Sequence, residues 1–353
     1  MSDIVFKKKK RMTQKMMDLQ KYYAEHQSHG TRVKGFILNS SNKCNFQCPH
    51  CYTRSGAGEF GTTDLSIEDI KSLADQADEM GVYEIDIQGG EPLINPDLFE
   101  ILKAIGTERF YIYITTNGWL LDNEMAHRLA DGGVDRVSVS IDAFSQEEHD
   151  YFRKKEGSYE RCIEALEAAT QAGMRAYVNI VVGHYNAKSK ELKKFLDFLE
   201  EKKYGIVFNC ASPTGNWRGN YDVMLDSEDQ EELRALKEKH PNIIRDLWNY
   251  LNPADKKLIY GCPAVNLFYV SPLGDILPCP YIHVKLGNIH DEPLRDIINR
   301  GFAIPEFRDY SDKCLVGENR EFAVKYLDRD MSVLKPLLAE DVFDLRINGR
   351  RRA

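Results

Sequence analysis

Residues 43–51 read KCNFQCPHC, which puts Cys44, Cys48 and Cys51 on one short stretch. Sulfurs spaced by four and three residues pair poorly as disulfides, and three is an odd number. Three thiolates on one loop can instead hold three irons of a cubane [4Fe–4S] cluster and leave the fourth iron without a protein ligand. Zinc is the alternative, but structural zinc takes four ligands. The nearby candidate is His50, and its place between Cys48 and Cys51 suits it poorly to close the same site. A second run, GGEP at 89–92, and the polar residues Asn117, Ser140 and Asp142 recur further along.

These residues need a frame, and strand and helix signals supply one. Segments 36–41, 82–88, 109–115, 135–142, 174–182 and 205–211 read as strands, being rich in β-branched and aromatic residues. Between them, 66–80 (with Ser66 as N-cap), 97–106, 123–133, 159–173 and 190–203 have helical apolar spacing. Six strands alternating with helices imply a parallel sheet with right-handed crossovers. Six units fall short of the eight of a closed barrel, so the expected fold is α/β, a partial (β/α)6 barrel. Parallel α/β folds carry their chemistry at the C-terminal strand ends, where Cys44, Gly89, Asn117 and Ser140 fall.

Alternation along the strands indicates what the sheet encloses. Glu84, Asp86 and Gln88 share one face and Tyr83, Ile85 and Ile87 the other; Ser138, Ser140 and Asp142 oppose Val137, Val139 and Ile141. One face is apolar and meets helices, while the other is polar and lines a ligand cavity. A half-solvated antiparallel sheet has the same alternation, and the intervening helices speak against it.

The 353 residues, 42 % hydrophobic, suffice for one large domain and a smaller one. A net charge of -8 argues against general affinity for nucleic acid, and the basic runs at 7–11 and 350–352 read as solvated termini. No apolar stretch is long enough to cross a membrane, and the first residues lack the apolar core of a signal peptide. A cytoplasmic location is expected, where thiols stay reduced and clustered cysteines read as metal ligands or catalytic groups. In the last third, a helix is expected over 226–239. Cys262 and Cys279 bracket a hairpin of 266–271 and 276–279 around a turn at 272–275, and Cys314 precedes a helix at 318–327.

The cysteine run, GGEP after the second strand and the order of elements together resemble the radical S-adenosylmethionine (SAM) superfamily, with its CxxxCxΦC pattern, over about residues 33–215. Cys262, eleven residues, Gly274, four residues and Cys279 resemble the opening of the SPASM and twitch extensions. The division implied is an N-terminal helical extension (1–32), whose segment 12–25 caps the barrel, a radical SAM core (33–215), a helical linker (216–255) and a small α+β iron–sulfur domain (256–353). The resemblance implies that Cys44, Cys48 and Cys51 hold a [4Fe–4S] cluster whose open iron chelates SAM. Gly89, Gly90, Glu91 and Pro92 would serve the methionyl ammonium, and His50 would neighbour adenine. Ser140 and Asp142 would meet ribose or carboxylate, with Asn117 and Asn179 as further contacts. Cys262, Cys279 and Cys314 would hold one auxiliary [4Fe–4S] cluster, fewer cysteines than the seven of a full SPASM domain. Cys210 is open between a buried small hydrophobe, a fourth ligand and a hydrogen-atom donor; Cys162 reads as structural.

The implied activity is reductive cleavage of SAM to a 5′-deoxyadenosyl radical that takes hydrogen from a polar small molecule such as a sugar, aminocyclitol or nucleotide. The auxiliary cluster would aid oxidation or binding, and flavodoxin or ferredoxin would supply the electron. Modification of a ribosomally made peptide is the alternative, and His184 and Tyr185 could contact either substrate. From another class, a noncatalytic iron–sulfur carrier or SAM or redox sensor is the third reading.

Overall fold

A computed structural model describes residues 3–26, 32–55, 63–244, 248–252, 257–260, 262–308, 311 and 313–343. Six parallel strands form its centre in chain order: β1 (Gly35–Asn39), β2 (Glu84–Gln88), β3 (Tyr111–Thr116), β4 (Arg136–Ser140), β5 (Arg175–Val182) and β6 (Gly205–Cys210). After α1 (Asp3–His26), the crossovers carry α2 (Ile67–Glu79), α3 (Leu98–Ile105), α4 (Asn123–Asp131), α5 (Gln146–Arg153), α6 (Ser158–Gln171) and α7 (Lys190–Glu201). Ile85, Ile87, Ile112, Ile114, Val137 and Val139 are buried with helix residues such as Leu73, Leu102 and Leu166 in one core. The opposite strand face turns Asp86, Gln88, Ser138 and Ser140 into a cavity. The fold is thus a partial (β/α) barrel with a C-terminal extension.

Local chemistry starts the helices. Ser66, Asp122, Ser145 and Ser189 each accept a hydrogen bond from the backbone N–H three residues on, and Ser66 and Asp69 cap reciprocally. Apolar spacing does not announce α5, because the residues it buries are His149 and Arg153. Its polar sequence hides an inward face.

The C-terminal extension does not stand apart. In chain order come β7 (Ile243–Ile244), β8 (Trp248–Asn252), β9 (Lys257–Tyr260), β10 (Leu267–Val270), β11 (Asp275–Leu277), β12 (Val284–Lys285), β13 (Gly287–Asn288) and β14 (Leu337–Leu338). The hairpin β10–β11 joins the central sheet directly, β10 lying parallel to β1, and β13 and β7 finish the two edges of a ten-stranded sheet. An open barrel leaves the edge of its first strand unpaired. LFYV of β10 covers it, with Phe268 stacked on Phe36 at 5.3 Å.

Three expectations change. Residues 216–255, expected to be helical, hold α8 (Ser227–Lys239) and then β7 and β8, since Ile243 and Ile244 pair with the β6 edge. The helix expected at 318–327 is one α-turn, Arg320–Phe322, continued by a π turn over Ala323–Leu327. Finally, α1 packs at the base of the barrel rather than over its functional end. Lys15 donates to the carbonyls of Val82 (2.7 Å) and Arg109 (3.1 Å), just before β2 and β3, and Leu19 and Tyr22 lie on Tyr83. Among the described residues no helix is long and apolar enough to cross a membrane.

Candidate functional site

A cavity of about 230 Å³ lies at the C-terminal strand ends and reaches into the lumen. Its wall includes Cys44, Cys48 and Cys51 from the loop after β1, and Cys210, Cys262, Cys279 and Cys314 from β6 and the C-terminal extension. One space therefore faces both cysteine groups. Tyr52, next to Cys51, meets Tyr281, two residues beyond Cys279, edge to face at 5.2 Å between the groups.

The loop carrying the first group is held by close backbone contact. Gly89 has φ +144°, and a Cβ there would fall 2.4 Å from the Ser41 carbonyl oxygen; one on Gly90 would fall 2.0 Å from that of Lys43. The N–H groups of Gly90 and Glu91 donate to the carbonyls of Ser41 (2.9 Å) and Lys43 (2.8 Å). The glycines thus let β2 press against the entrance of the cysteine loop. Glu91 accepts from the Asn117 N–H (2.7 Å), the Thr116 hydroxyl (2.7 Å) and the Leu93 N–H (3.0 Å). Burial pushes its carboxyl up against these bonds. The side chain of Asn117 then donates to Asn45 inside the cysteine loop, at 2.8 Å. Gly89, Gly90 and Asn117 line the cavity, while Glu91 and Pro92 lie buried behind it and brace the loop.

Around the second sulfur sits an ion cluster. Arg153, from α5, forms an ion pair with Asp142 and points a second nitrogen at Cys48 Sγ, 3.5 Å away. Asp142 also accepts from the Val181 N–H (3.2 Å), and His50 Nε2 stands 3.4 Å from it. Burial works to raise the Asp142 carboxyl, but Arg153 and then His50 and His149 hold it below the usual range. Burial pushes His50 down to about 4, so its ring is neutral; it stacks on Phe152 at 5.0 Å and leaves Nδ1 buried without a partner. Ser140 and Asn179 are register partners on the cavity face of β4 and β5, with Asn209 hydrogen-bonded to Asn179. Sequence reasoning missed Arg153. Its signal would have been a lone arginine closing a helix whose other inward residue is His149.

The donor sets suit polynuclear iron better than a single ion. Among the described residues, only His184, Asp226 and Asp229 bring three candidate donor atoms within 4.8 Å of one another, so neither cysteine group is that tight. Sulfurs around one zinc would stand about 3.8 Å apart, given Zn–S bonds of about 2.3 Å. Burial raises the Cys44 thiol to about 12 and also raises Cys48, so a metal binding there displaces protons. Burial raises the Cys262 and Cys279 thiols, and backbone amides of Leu315 and Ala264 at Cys262, and of Tyr281 and Ile282 at Cys279, oppose it by favouring the thiolate. Cys210 belongs to this second group: a Cβ on Gly317, three residues past Cys314, would fall 2.3 Å from Cys210 Cβ.

Other expected residues lie elsewhere. His184 does not face the cavity; its Nδ1 bonds Asp229 at 2.8 Å and ties the β5 loop to the start of α8. Tyr185 donates to the Val181 carbonyl and packs on Trp217, outside the lining. Cys162 is fully buried on α6, with its sulfur 3.3 Å from the Asn117 carbonyl oxygen.

Comparison with known proteins agrees with this geometry. The radical SAM superfamily pattern matches residues 38–199, and a SPASM iron–sulfur cluster-binding domain matches 262–317. The chain is 30 % identical over 326 residues to an Fe-coproporphyrin III synthase of Methanosarcina barkeri, covering 82 % of this chain and 77 % of that one. It belongs to the radical SAM superfamily. This radical SAM chain is also 26 % identical over 343 residues to an AdoMet-dependent heme synthase of the same organism, covering 87 % of this chain and 95 % of the relative. In fold it is similar to Streptococcus suis SuiB bound to precursor peptide SuiA, with TM-score 0.59 and 18 % identity. That match covers 79 % of this chain and 66 % of SuiB. The radical SAM and SPASM matches imply a SAM-bound [4Fe–4S] cluster and an auxiliary iron–sulfur cluster. The relatives are named as enzymes, and the carrier or sensor reading gives way to an enzyme.

Proposed function

We propose that this radical SAM enzyme oxidises a polar small molecule held in the barrel lumen, with the auxiliary site accepting an electron or binding the substrate. The observation that carries the reading is the single cavity shared by both cysteine groups and the polar strand faces between them. When bound, the reduced cluster supplies the electron that cleaves SAM to methionine and the hydrogen-abstracting 5′-deoxyadenosyl radical. Cys44, Cys48 and Cys51 would hold that cluster. Gly89 and Gly90 would border the methionyl group, Arg153 would supply positive charge for its carboxylate, and Ser140 and Asn179 would offer polar contacts. His50 and its aromatic neighbours would keep water from the adenosyl side. Cys210, Cys262, Cys279 and Cys314 would be the four ligands of the auxiliary cluster.

A peptide substrate is the competing reading, supported by the likeness to SuiB in fold. Anaerobically reconstituted enzyme with SAM and dithionite should release 5′-deoxyadenosine. An ultrafiltered small-molecule extract should raise that release, and protease treatment of the extract should not lower it. No release would sink the radical reading; stimulation confined to a protease-sensitive fraction would favour the peptide.

A further inference from the structure

The floor of the lumen holds a cation with no ion-pair partner among the described residues. Arg136, the first residue of β4, lines the cavity between two aromatic faces, 3.8 Å from the Tyr113 ring centre and 4.7 Å from that of Tyr177. Gly205 permits the second face: it is the register partner of Tyr177, and a Cβ there would fall 2.1 Å from the ring. Such stacking fixes the plane of a guanidinium and leaves its edge for hydrogen bonds. Among the described residues no carboxylate oxygen lies within 4.0 Å of Arg136, and its Nε is buried without a partner.

The nearest acids are engaged elsewhere. Glu84 pairs with Lys34 at 2.8 Å, and Asp86 accepts from Gln88 and from the Thr115 hydroxyl at 3.1 Å. Burial pushes Asp86 up to about 7, with Gln88 and Arg136 opposing, so it offsets only part of the arginine charge at neutral pH. Ser138, two residues along the same strand face, is buried and has an unpartnered Oγ in the cavity wall. Buried polar groups are normally satisfied, and two orphans side by side call for a ligand.

We propose that Arg136 and Ser138 seat a carboxylate of the substrate at the lumen floor. The proposal rests on the reading that the lumen is the substrate chamber. A planar fork matches a carboxylate. One cation beside Asp86 and Glu84 favours a monoanion over a phosphate dianion. Arg136 stands four residues before Ser140, about 13 Å along the strand. A small acid anchored below would present its far end to the region between Ser140 and the cysteine loop.

Calorimetry on the reconstituted holoenzyme with SAM, at constant ionic strength, tests this with butyrate, its neutral isostere butyramide, and inorganic phosphate. Wild type should bind butyrate saturably in the millimolar range expected of so small a fragment. Butyramide and phosphate should bind at least about tenfold more weakly. Arg136→Gln should weaken butyrate about tenfold or more and Arg136→Lys about threefold, because lysine keeps the charge and loses the fork. Melting temperatures identify a variant that has not folded, and if the glutamine variant fails, the lysine variant decides. Equal affinity for butyrate and butyramide, tighter phosphate binding, or unchanged butyrate affinity in the folded variants would overturn the proposal. Release of 5′-deoxyadenosine by the same wild-type sample separates the two ideas. Release without butyrate binding overturns the carboxylate seat alone, whereas binding without release keeps the seat and overturns the radical reading.

Discussion

The two cysteine groups reach one cavity by opposite routes. Cys44, Cys48 and Cys51 come from eight consecutive residues on one loop, braced from outside by Gly90, Glu91 and Asn117. Cys210, Cys262, Cys279 and Cys314 come from four separate segments that meet only because β10 pairs with β1 and the 314–317 turn packs on the end of β6. In the first group, spacing brings the sulfurs to one wall of the cavity and the fold supplies support. In the second, the fold supplies the site itself. Local change should disable the first group without harming the second, while the second should answer to changes anywhere along its four segments.

The largest effect should come from replacing Cys44, Cys48 and Cys51 together by alanine. Release of 5′-deoxyadenosine should vanish, and iron should fall from about eight to about four per chain. Retention of all the iron would break the contrast. Next, Cys210→Ala should remove the auxiliary signal from the electron paramagnetic resonance spectrum and lower iron toward about four. An unchanged spectrum would return Cys210 to a packing role. Gly90→Ala pushes a methyl into the Lys43 carbonyl, and overpacking of that kind costs about 3 kcal/mol; iron should be lost from the first group alone. Glu91→Gln exchanges one accepting oxygen for an amide nitrogen facing Thr116 or Asn117. Urea unfolding should show a loss of about 1.5–3 kcal/mol.

The smallest effect concerns His283, four residues beyond Cys279. Burial holds its imidazole down to about 4, against the Pro280 carbonyl 3.1 Å from Nε2. A histidine whose folded pKa lies below its unfolded value of about 6.5 contributes stability that is present above 6.5 and lost as pH falls toward 4. Its share between pH 7 and pH 5 is up to about 2 kcal/mol. His283→Gln should flatten the urea midpoint over that interval, and an unchanged slope would show that His283 does not titrate there.

Much of the frame was legible in the sequence. Strands β1 to β6 announce themselves as β-branched and aromatic runs between helical ones, β2 and β4 also by an apolar outward and a polar inward face, and Ser66 marks the start of α2 as expected. The loop cysteines needed only their spacing. Other features were hidden for definite reasons. Helix α5 buries a histidine and an arginine, so apolar periodicity misses it and Arg153 with it. The pairing of β10 with β1 joins residues more than two hundred apart, which no local pattern encodes. The bracing role of Glu91 was also hidden, since its partners Thr116 and Asn117 lie at the end of β3 and just beyond it. Arg136 lies inside the strand signal at 135–142 with nothing to single it out, and its isolation depends on Tyr113, Tyr177 and Gly205 coming from three other strands.

The partnership of β1 and β10 bears on how the chain matures. During synthesis β1 emerges before its partner, which follows more than two hundred residues later. At about 5–20 residues per second that is roughly 10–50 s during which the strand leading into the cysteine loop has one bare edge. Iron delivered in that interval would meet half-built walls on an unfinished nascent chain. Cluster loading is therefore best timed after β10 has closed the edge, when both cysteine groups face a finished cavity.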